Sequence, residues 1–231
     1  MKQDIEYNGK AAAQMKLLIS EEISIPSPKA KYTEYEITGR DGKLLIDEGS
    51  YDDITINIPF NYAEKDDWGT VFRSAKAWLF RRGNRILKLS RLSGYFYKVK
   101  KVEISADERS IQRAGKFQAS FLCEPYAYLE DGLNERETGT LYNPYERSHP
   151  TYQITGEGVC SMTVNGSTVT ANVGQNLTIN TDLMLAYRED GTLQNTSISG
   201  DYEDLYLRPG DNTISITDGF ELKVIPNWRC L

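Results

Sequence analysis

The sequence predicts a mainly β protein with two parts, an α+β N-terminal domain that carries one helix on a β-sheet and a C-terminal β-sandwich. Three observations predict it. Apolar side chains alternate along several short segments, a single stretch shows helical spacing, and turn dipeptides separate short β-prone runs after Pro150. The 231 residues suffice for one large domain or two modest ones. We expect an N-terminal domain over residues 1–130, a linker or arm over 131–149, and a sandwich over 150–231.

The clearest predicted strand contains Ile54, Ile56, Ile58 and Phe60, which alternate with more polar residues. This period of two is typical of a half-buried strand. Pro59 cannot donate a main-chain hydrogen bond, so we expect the strand to end there or to lie at a sheet edge.

One helix is predicted from Asp66 to about Arg82, with an apolar stripe that should cover one sheet face. Asp66 or Asp67 suits the N-terminal cap, Arg81 and Arg82 fall in the predicted last turn, and Gly83 supplies a left-handed stop. The stripe consists of Val71, Phe72, Ala75, Trp78 and Leu79.

Further strands are expected at Ile86–Leu89, Tyr95–Ile104 and Lys116–Cys123. Cys123 shares a face with Phe117 and Phe121, which predicts a buried thiol. The three cysteines are far apart and form no CxxC pair, so neither zinc nor a redox motif is predicted.

The segment 131–149 is polar and shows no regular period. It is interpreted as a linker, or as an extended arm that lies against a domain or a neighbouring subunit. The strands predicted after it are Thr151–Thr155, Cys160–Val164, Thr168–Asn172, Asn176–Asn180, Leu183–Arg188, Thr196–Ser199, Thr213–Thr217 and Glu221–Ile225.

Composition excludes several functional classes. The net charge of −6 argues against a general nucleic-acid binder. No segment approaches the roughly 20 apolar residues of a membrane helix, and the N-terminus does not resemble a secretory signal. We therefore expect a soluble protein without membrane insertion.

Catalytic chemistry is not predicted. The single histidine, His149, stands before Pro150 outside any hydrolase or metalloprotease motif, and is interpreted as a junction residue. Gly39–Gly42 lacks the phosphate-loop pattern and predicts a β-turn. We expect no enzyme activity, cofactor or metal. If exposed, Tyr187, Tyr202, Tyr206 and Trp228 could stack on saccharide rings or contact a partner, whereas packing in the sandwich is the alternative.

Several segments carry a resemblance through their order. In the first part they are ITGRDGKLL (Ile37–Leu45), YDDITINIPF (Tyr51–Phe60), WGTVFRSAKAWLF (Trp68–Phe80), ILKLS (Ile86–Ser90), GYFYKVKKVEI (Gly94–Ile104) and GKFQASFLCEPYAYL (Gly115–Leu129). PTYQITGEG (Pro150–Gly158) and LYLRPGDNTISI (Leu205–Ile216) follow. In this order they resemble the distal tail protein family of long-tailed phages that infect Gram-positive bacteria. Met1–Ile25 matches no pattern of the family.

The resemblance implies a structural virion protein of the tail tip, assembled in the host cytoplasm. The N-terminal domains would form a homo-hexameric ring that joins the tail tube protein to a tail-associated, fibre or receptor-binding protein, and DNA would only pass through its channel. The C-terminal domain would be a galectin-like β-sandwich. The alternative function is a carbohydrate-binding module for host cell-wall saccharides in that sandwich.

Overall fold

The computed structural model describes residues 3–19, 21–63, 68–105, 108–111 and 114–231, with the backbone alone for Trp68 and residues 108–111. The chain divides into two compact units, residues 1–127 with Leu231, and residues 128–230. Among the described residues, regular structure is almost entirely strand, with one α-helix and short 3-10 helices. The prediction of a mainly β protein is confirmed.

The strands of the first unit are β1 (Ile5–Tyr7), β2 (Lys10–Ala11), β3 (Ala30–Glu36), β4 (Lys43–Tyr51), β5 (Ile54–Ala63), β6 (Ile86–Leu89), β7 (Tyr95–Ile104), β8 (Glu108–Ile111) and β9 (Ala114–Cys123). Its helix is α1 (Trp68–Leu79), and a 3-10 helix spans Ala12–Met15. β10 (Ala127–Leu129) begins at the boundary between the units.

A main sheet in the first unit has the strand order β2–β1–β6–β7–β9–β5. β7 pairs with the second half of β9, and β8 with its first half. β3 and β4 form a separate two-stranded hairpin. β1 and β2, which sequence patterns did not predict, extend the sheet because Ile5 and Tyr7 point into the core.

The core of the first unit lies between this sheet and α1. Ile56, Ile58 and Phe60 of β5 are fully buried, which confirms the predicted alternation, and each contributes roughly 1.5–3 kcal/mol of transfer free energy. The Trp78 ring packs edge-on to Phe60 at 6.4 Å, and its Nε1 donates to the carbonyl of Tyr7 at 2.9 Å. The helical stripe therefore covers the sheet as predicted.

The predicted end of the helix was wrong, and one of the two alternatives for Pro59 holds. α1 ends at Leu79, so Arg81 and Arg82 lie beyond its last turn, and Gly83 is not in the left-handed region. β5 continues past Pro59 to Ala63, because Pro59 lies in a strand that pairs along its length only with β9 among the described strands. The edge alternative therefore holds. Asp66 and Asp67 lie outside the described residues.

The strands of the second unit are β11 (Gly139–Asn143), β12 (Thr151–Val164), β13 (Ser167–Asn180), β14 (Leu185–Tyr187), β15 (Ile198–Ser199), β16 (Gly210–Ile216), β17 (Glu221–Ile225) and β18 (Arg229–Cys230). The 3-10 helices span Glu130–Leu133, Asn195–Ser197 and Tyr202–Leu205.

One long hairpin, β12 with β13, organises the second unit. Its first half, at Thr151–Thr155, has β17 as outer neighbour, and its second half, at Met162–Val164, has β16. Both halves contribute to one core, as in a sandwich; for example Ile154 and Met162 are buried in the same cluster. The prediction of separate short strands here was wrong. Thr151–Thr155 and Cys160–Val164 form the single strand β12, and Thr168–Asn172 and Asn176–Asn180 form the single strand β13.

The segment 131–149 forms an arm that belongs to the second unit. β11 pairs antiparallel with β16, Arg136 bridges Val224, and Ser148 bridges Leu207. Gly132 approaches Trp228 so closely that a Cβ at position 132 would lie 2.4 Å from the main-chain nitrogen of Trp228. The segment therefore lies against strands of the second unit.

Candidate functional site

The β3–β4 hairpin presents an apolar surface to solvent. Its register pairs Tyr35 with Leu44 and Thr33 with Ile46, which places these side chains on one face. Tyr35 and Ile46 are each about half exposed, at 51% and 48%. We call Tyr35, Leu44 and Ile46 the apolar hairpin face.

The opposite face of the hairpin is more polar. It carries the ion pair between Glu34 and Lys43 at 2.6 Å, beside the exposed side chains of Tyr32 and Leu45. A two-stranded hairpin is only marginally stable by itself in water. A partner that covered the apolar hairpin face would therefore stabilise it, and the face is chemically suited to packing against protein.

The two ends of the hairpin are fixed locally. The N–H of Arg40 donates to the Ile37 carbonyl at 3.1 Å, which closes a β-turn over Ile37–Arg40, two residues before the predicted turn at Gly39–Gly42. At the base, the N–H of Asp52 donates to the Lys29 carbonyl at 2.8 Å, and the rings of Tyr51 and Tyr126 meet edge to face at 6.0 Å. The hairpin is thus tied to the first unit at its base.

The four aromatic candidates occupy different places in the second unit. Trp228 is only 6% exposed and belongs to the core, which agrees with the packing alternative for this residue. The other three are half-buried. Tyr187 lies in β14 opposite Thr178, and the hydroxyl of Tyr202 contacts the Asn195 side chain at 3.5 Å. Saccharide contact through the three tyrosines stays a prediction.

Tyr206 belongs to a polar cluster that sequence reasoning missed. Its ring stacks on the imidazole of His149 with centroids 4.1 Å apart. Asp182 lies 3.0 Å from Nδ1 of His149, and Arg229 lies 3.0 Å from its Nε2. Burial raises the pKa of the Tyr206 hydroxyl, and Asp182 adds to this while Arg229 opposes it. A single histidine before a proline gave no sign of partners so distant in sequence.

The cluster holds the arm and the C-terminal strand together. The Arg229 Nε donates to the Arg147 carbonyl at 2.7 Å, and Asn227 Nδ2 donates to the His149 carbonyl at 2.9 Å. These hydrogen bonds join the segment Arg147–His149 to Asn227 and Arg229. We call this network the clasp.

No group of three His, Cys, Asp or Glu side chains in the described ranges is placed to hold a metal ion. Cys123 is buried as predicted, and burial raises its pKa to about 12. None of the helices in the described part of the chain is long and apolar enough to cross a membrane.

Comparison with known proteins identifies the fold. Neither a protein-family model nor a curated protein matches the sequence. Seven chains of solved structures do match, and they include a phage protein whose fold matches along the whole chain. That protein is the Dit protein (gp 19.1) of phage SPP1, described as a paradigm of the hub adsorption apparatus in phages that infect Gram-positive bacteria.

The likeness to SPP1 Dit covers 100% of both chains with a TM-score of 0.70, at 13% sequence identity. The resemblance to distal tail proteins, predicted from the order of short segments, is therefore confirmed in the fold. At this identity the likeness concerns the fold, and the role of this chain is a separate inference.

Proposed function

We propose that this chain is a non-enzymatic structural protein of a phage tail tip, where it forms the hub of the adsorption apparatus. The observation that carries the proposal is the match in fold to SPP1 Dit along the full length of both chains. A fold by itself does not define a function. The proposal is supported further by the apolar hairpin face, which is suited to assembly.

The proposed assembly is a homo-hexameric ring built by the N-terminal domains. The apolar hairpin face of one subunit packs against the next subunit, a contact between two different surfaces that closes into a ring when the rotation permits it. Such a contact offsets the marginal stability of a two-stranded hairpin. Tyr35 supplies the large aromatic side chain that is typical of interface hot spots.

In the proposed role, the ring joins the tail tube protein on one side to a tail-associated, fibre or receptor-binding protein on the other. DNA passes through the channel without being gripped, which agrees with the net charge of −6. The half-buried tyrosines favour a packing role, so saccharide binding is not the function proposed here.

The experiment is the oligomeric state of the full chain, measured by light scattering and imaged in negative stain, alone and with the tail tube protein. We expect rings of six subunits. The double variant Tyr35→Ser with Ile46→Ser should raise the protein concentration at which the ring dissociates at least tenfold. Its matched control, Tyr32→Ser with Leu45→Ser, changes equally exposed residues on the opposite face and should assemble like the wild type.

A chain that stays monomeric at all concentrations, also with the tail tube protein present, would contradict the hub. Rings that form equally well in both double variants would retain the hub but exclude the apolar hairpin face as its contact.

A further inference from the structure

The second unit contains a groove lined by residues of its arm and by Trp228. Its cavity volume is about 380 Å³. Leu129, Leu141 and Trp228 supply apolar lining that continues the core, and Tyr142 and Tyr145 add aromatic lining. Tyr142 is 65% exposed, so the groove is open to solvent.

The groove lies beside the outer edge of β11. Among the described strands, β11 pairs with β16 alone, and β16 pairs on its other side with β12. An antiparallel strand with a single neighbour leaves every second residue with outward main-chain groups.

The hydrogen bonds of Thr213 decide which residues of β11 face outward. The N–H of Thr213 donates to Asn165 Oδ1 at 3.0 Å, and the Asn165 N–H donates to the Thr213 carbonyl at 2.9 Å. Asn165 follows β12, so both main-chain groups of Thr213 point away from β11. Thr140, which stands opposite Thr213, is therefore in a non-hydrogen-bonded pair, and its N–H and C=O point outward.

The same alternation places the main-chain groups of Tyr142 outward and those of Leu141 toward β16. The second assignment agrees with Asn212, whose Nδ2 donates to the Leu141 carbonyl at 3.4 Å. The outward groups of Thr140 and Tyr142 thus stand two residues apart at the groove. That spacing matches the hydrogen-bonding groups of another extended chain.

The rim of the groove is polar but balanced in charge. Arg136 Nη2 donates to both carboxylate oxygens of Asp131 at 2.8 Å, and the Asn134 amide also donates to Asp131 at 3.0 Å. A neutralised pair gives no preference for an anionic or a cationic ligand. Recognition must then come from main-chain pairing and from the apolar lining.

We propose that this groove binds an extended peptide segment of another protein, which adds a strand to the free edge of β11 and places an apolar side chain against Trp228. Main-chain hydrogen bonds give affinity in this mode of recognition, and the pocket for a side chain gives specificity. The repeating outward amides favour a polypeptide over a saccharide. The inference concerns the second unit only, so its failure would leave the test of ring assembly unaffected.

Thr140→Pro is the decisive variant. The N–H of Thr140 does not bond to β16, so proline removes the outward donor and leaves the β11–β16 ladder intact. Thr140→Val is the matched control, because it changes the side chain and keeps the N–H. Both variants are checked for folding by urea denaturation of the full chain.

The probe is a displayed library of random nonapeptides, selected on the full chain and followed by synthesis of an enriched peptide. We expect enrichment of peptides that alternate apolar and polar residues. The dissociation constant should rise at least tenfold for Thr140→Pro and stay within about twofold for Thr140→Val. In the wild type, amide hydrogen exchange at Thr140 and Tyr142 should be fast without peptide and slow with it, whereas Leu141 is protected in both states.

Three results would overturn the proposal. They are a library that yields no enriched peptide, a folded Thr140→Pro variant that binds as tightly as the wild type, and slow exchange of the Thr140 amide in the free chain. Protection of the groove by an N-acetylglucosamine tetramer without any peptide binding would assign it to saccharides instead. If Thr140→Pro does not fold, the exchange measurement on the wild type decides alone.

Discussion

Nε2 of His149 lies 3.0 Å from Nη2 of Arg229, and this contact defines the state of the imidazole. A guanidinium can only donate, so Nε2 must accept. The hydrogen of the neutral ring then sits on Nδ1, which donates to Asp182 Oδ1 at 3.0 Å. His149 was interpreted from the sequence as a junction residue before the sandwich, and the structure places it inside the second unit, where its ring contacts Asp182 and Arg229.

His149→Ala should destabilise the second unit. The substitution removes one partner each of Arg229 and Asp182, and the ring that stacks on Tyr206. Arg229 is only 8% exposed, so we expect the free energy of unfolding to fall by about 1–3 kcal/mol. Urea titration, followed by hydrogen exchange of peptides from residues 128–230, measures the loss.

Asp182→Asn is the control for this prediction, because an amide oxygen still accepts from Nδ1 of His149. Its loss should be clearly smaller than that of His149→Ala. Equal urea midpoints for wild type and His149→Ala would show that the clasp contributes no stability.

The three thiols should differ in reactivity. Burial raises the pKa of Cys123 from an ordinary value of 9.0 to about 12, so its thiolate fraction near pH 8 falls about a thousandfold. Cys160 is buried as well, whereas Cys230 is half-buried. Labelling with an aromatic disulfide and mass analysis should modify Cys230 first, and all three in urea. Early modification of Cys123 in the native chain would contradict its burial.

Trp78→Phe should destabilise the first unit through one lost hydrogen bond. The carbonyl of Tyr7 is then left without the donor that lies 2.9 Å away in a buried site, at a cost of about 1–3 kcal/mol. The control is Phe80→Ala, whose side chain is 56% exposed and whose loss should stay within about 0.5 kcal/mol. Thermal unfolding compares the two, and similar midpoints would argue against the hydrogen bond.

Elements that depend on a local period were predictable from the sequence. β5 and α1 each bury one face, so Ile56, Phe60, Ala75 and Trp78 could be placed in the core from their spacing alone. The C-terminal end of α1 was harder to predict from the sequence. Gly83 is of a residue type that often ends helices, but the helix ends before it, at Leu79.

The candidate surfaces depend on contacts between residues that are distant in sequence, and the periodicity of apolar residues does not predict such contacts. Tyr35 and Ile46 alternate like core residues of a sheet, but the hairpin has no third strand within the described chain. His149 meets Arg229 across 80 residues of sequence. The outward amide of Thr140 follows only from the register with β16.

The continuous β12–β13 hairpin was also hidden, because glycines in its middle resemble strand breaks. Gly156 and Gly158 both have positive φ, at +153° and +104°. A Cβ at Gly156 would lie 2.3 Å from Cδ1 of Phe220, whereas nothing lies within 4 Å of the same position at Gly158. Backbone strain therefore applies to both residues and a steric clash only to the first.

Gly156→Ala should consequently be more destabilising than Gly158→Ala. Strain at positive φ costs each variant about 1–3 kcal/mol, and overpacking against Phe220 adds about 1–3 kcal/mol for Gly156→Ala. Phe220→Ala removes the clashing ring. The double variant should therefore lose less free energy of unfolding than the sum of the losses of the two single variants. Urea midpoints of the three variants and the double variant measure this coupling. Strictly additive losses would mean that Phe220 does not pack on Gly156.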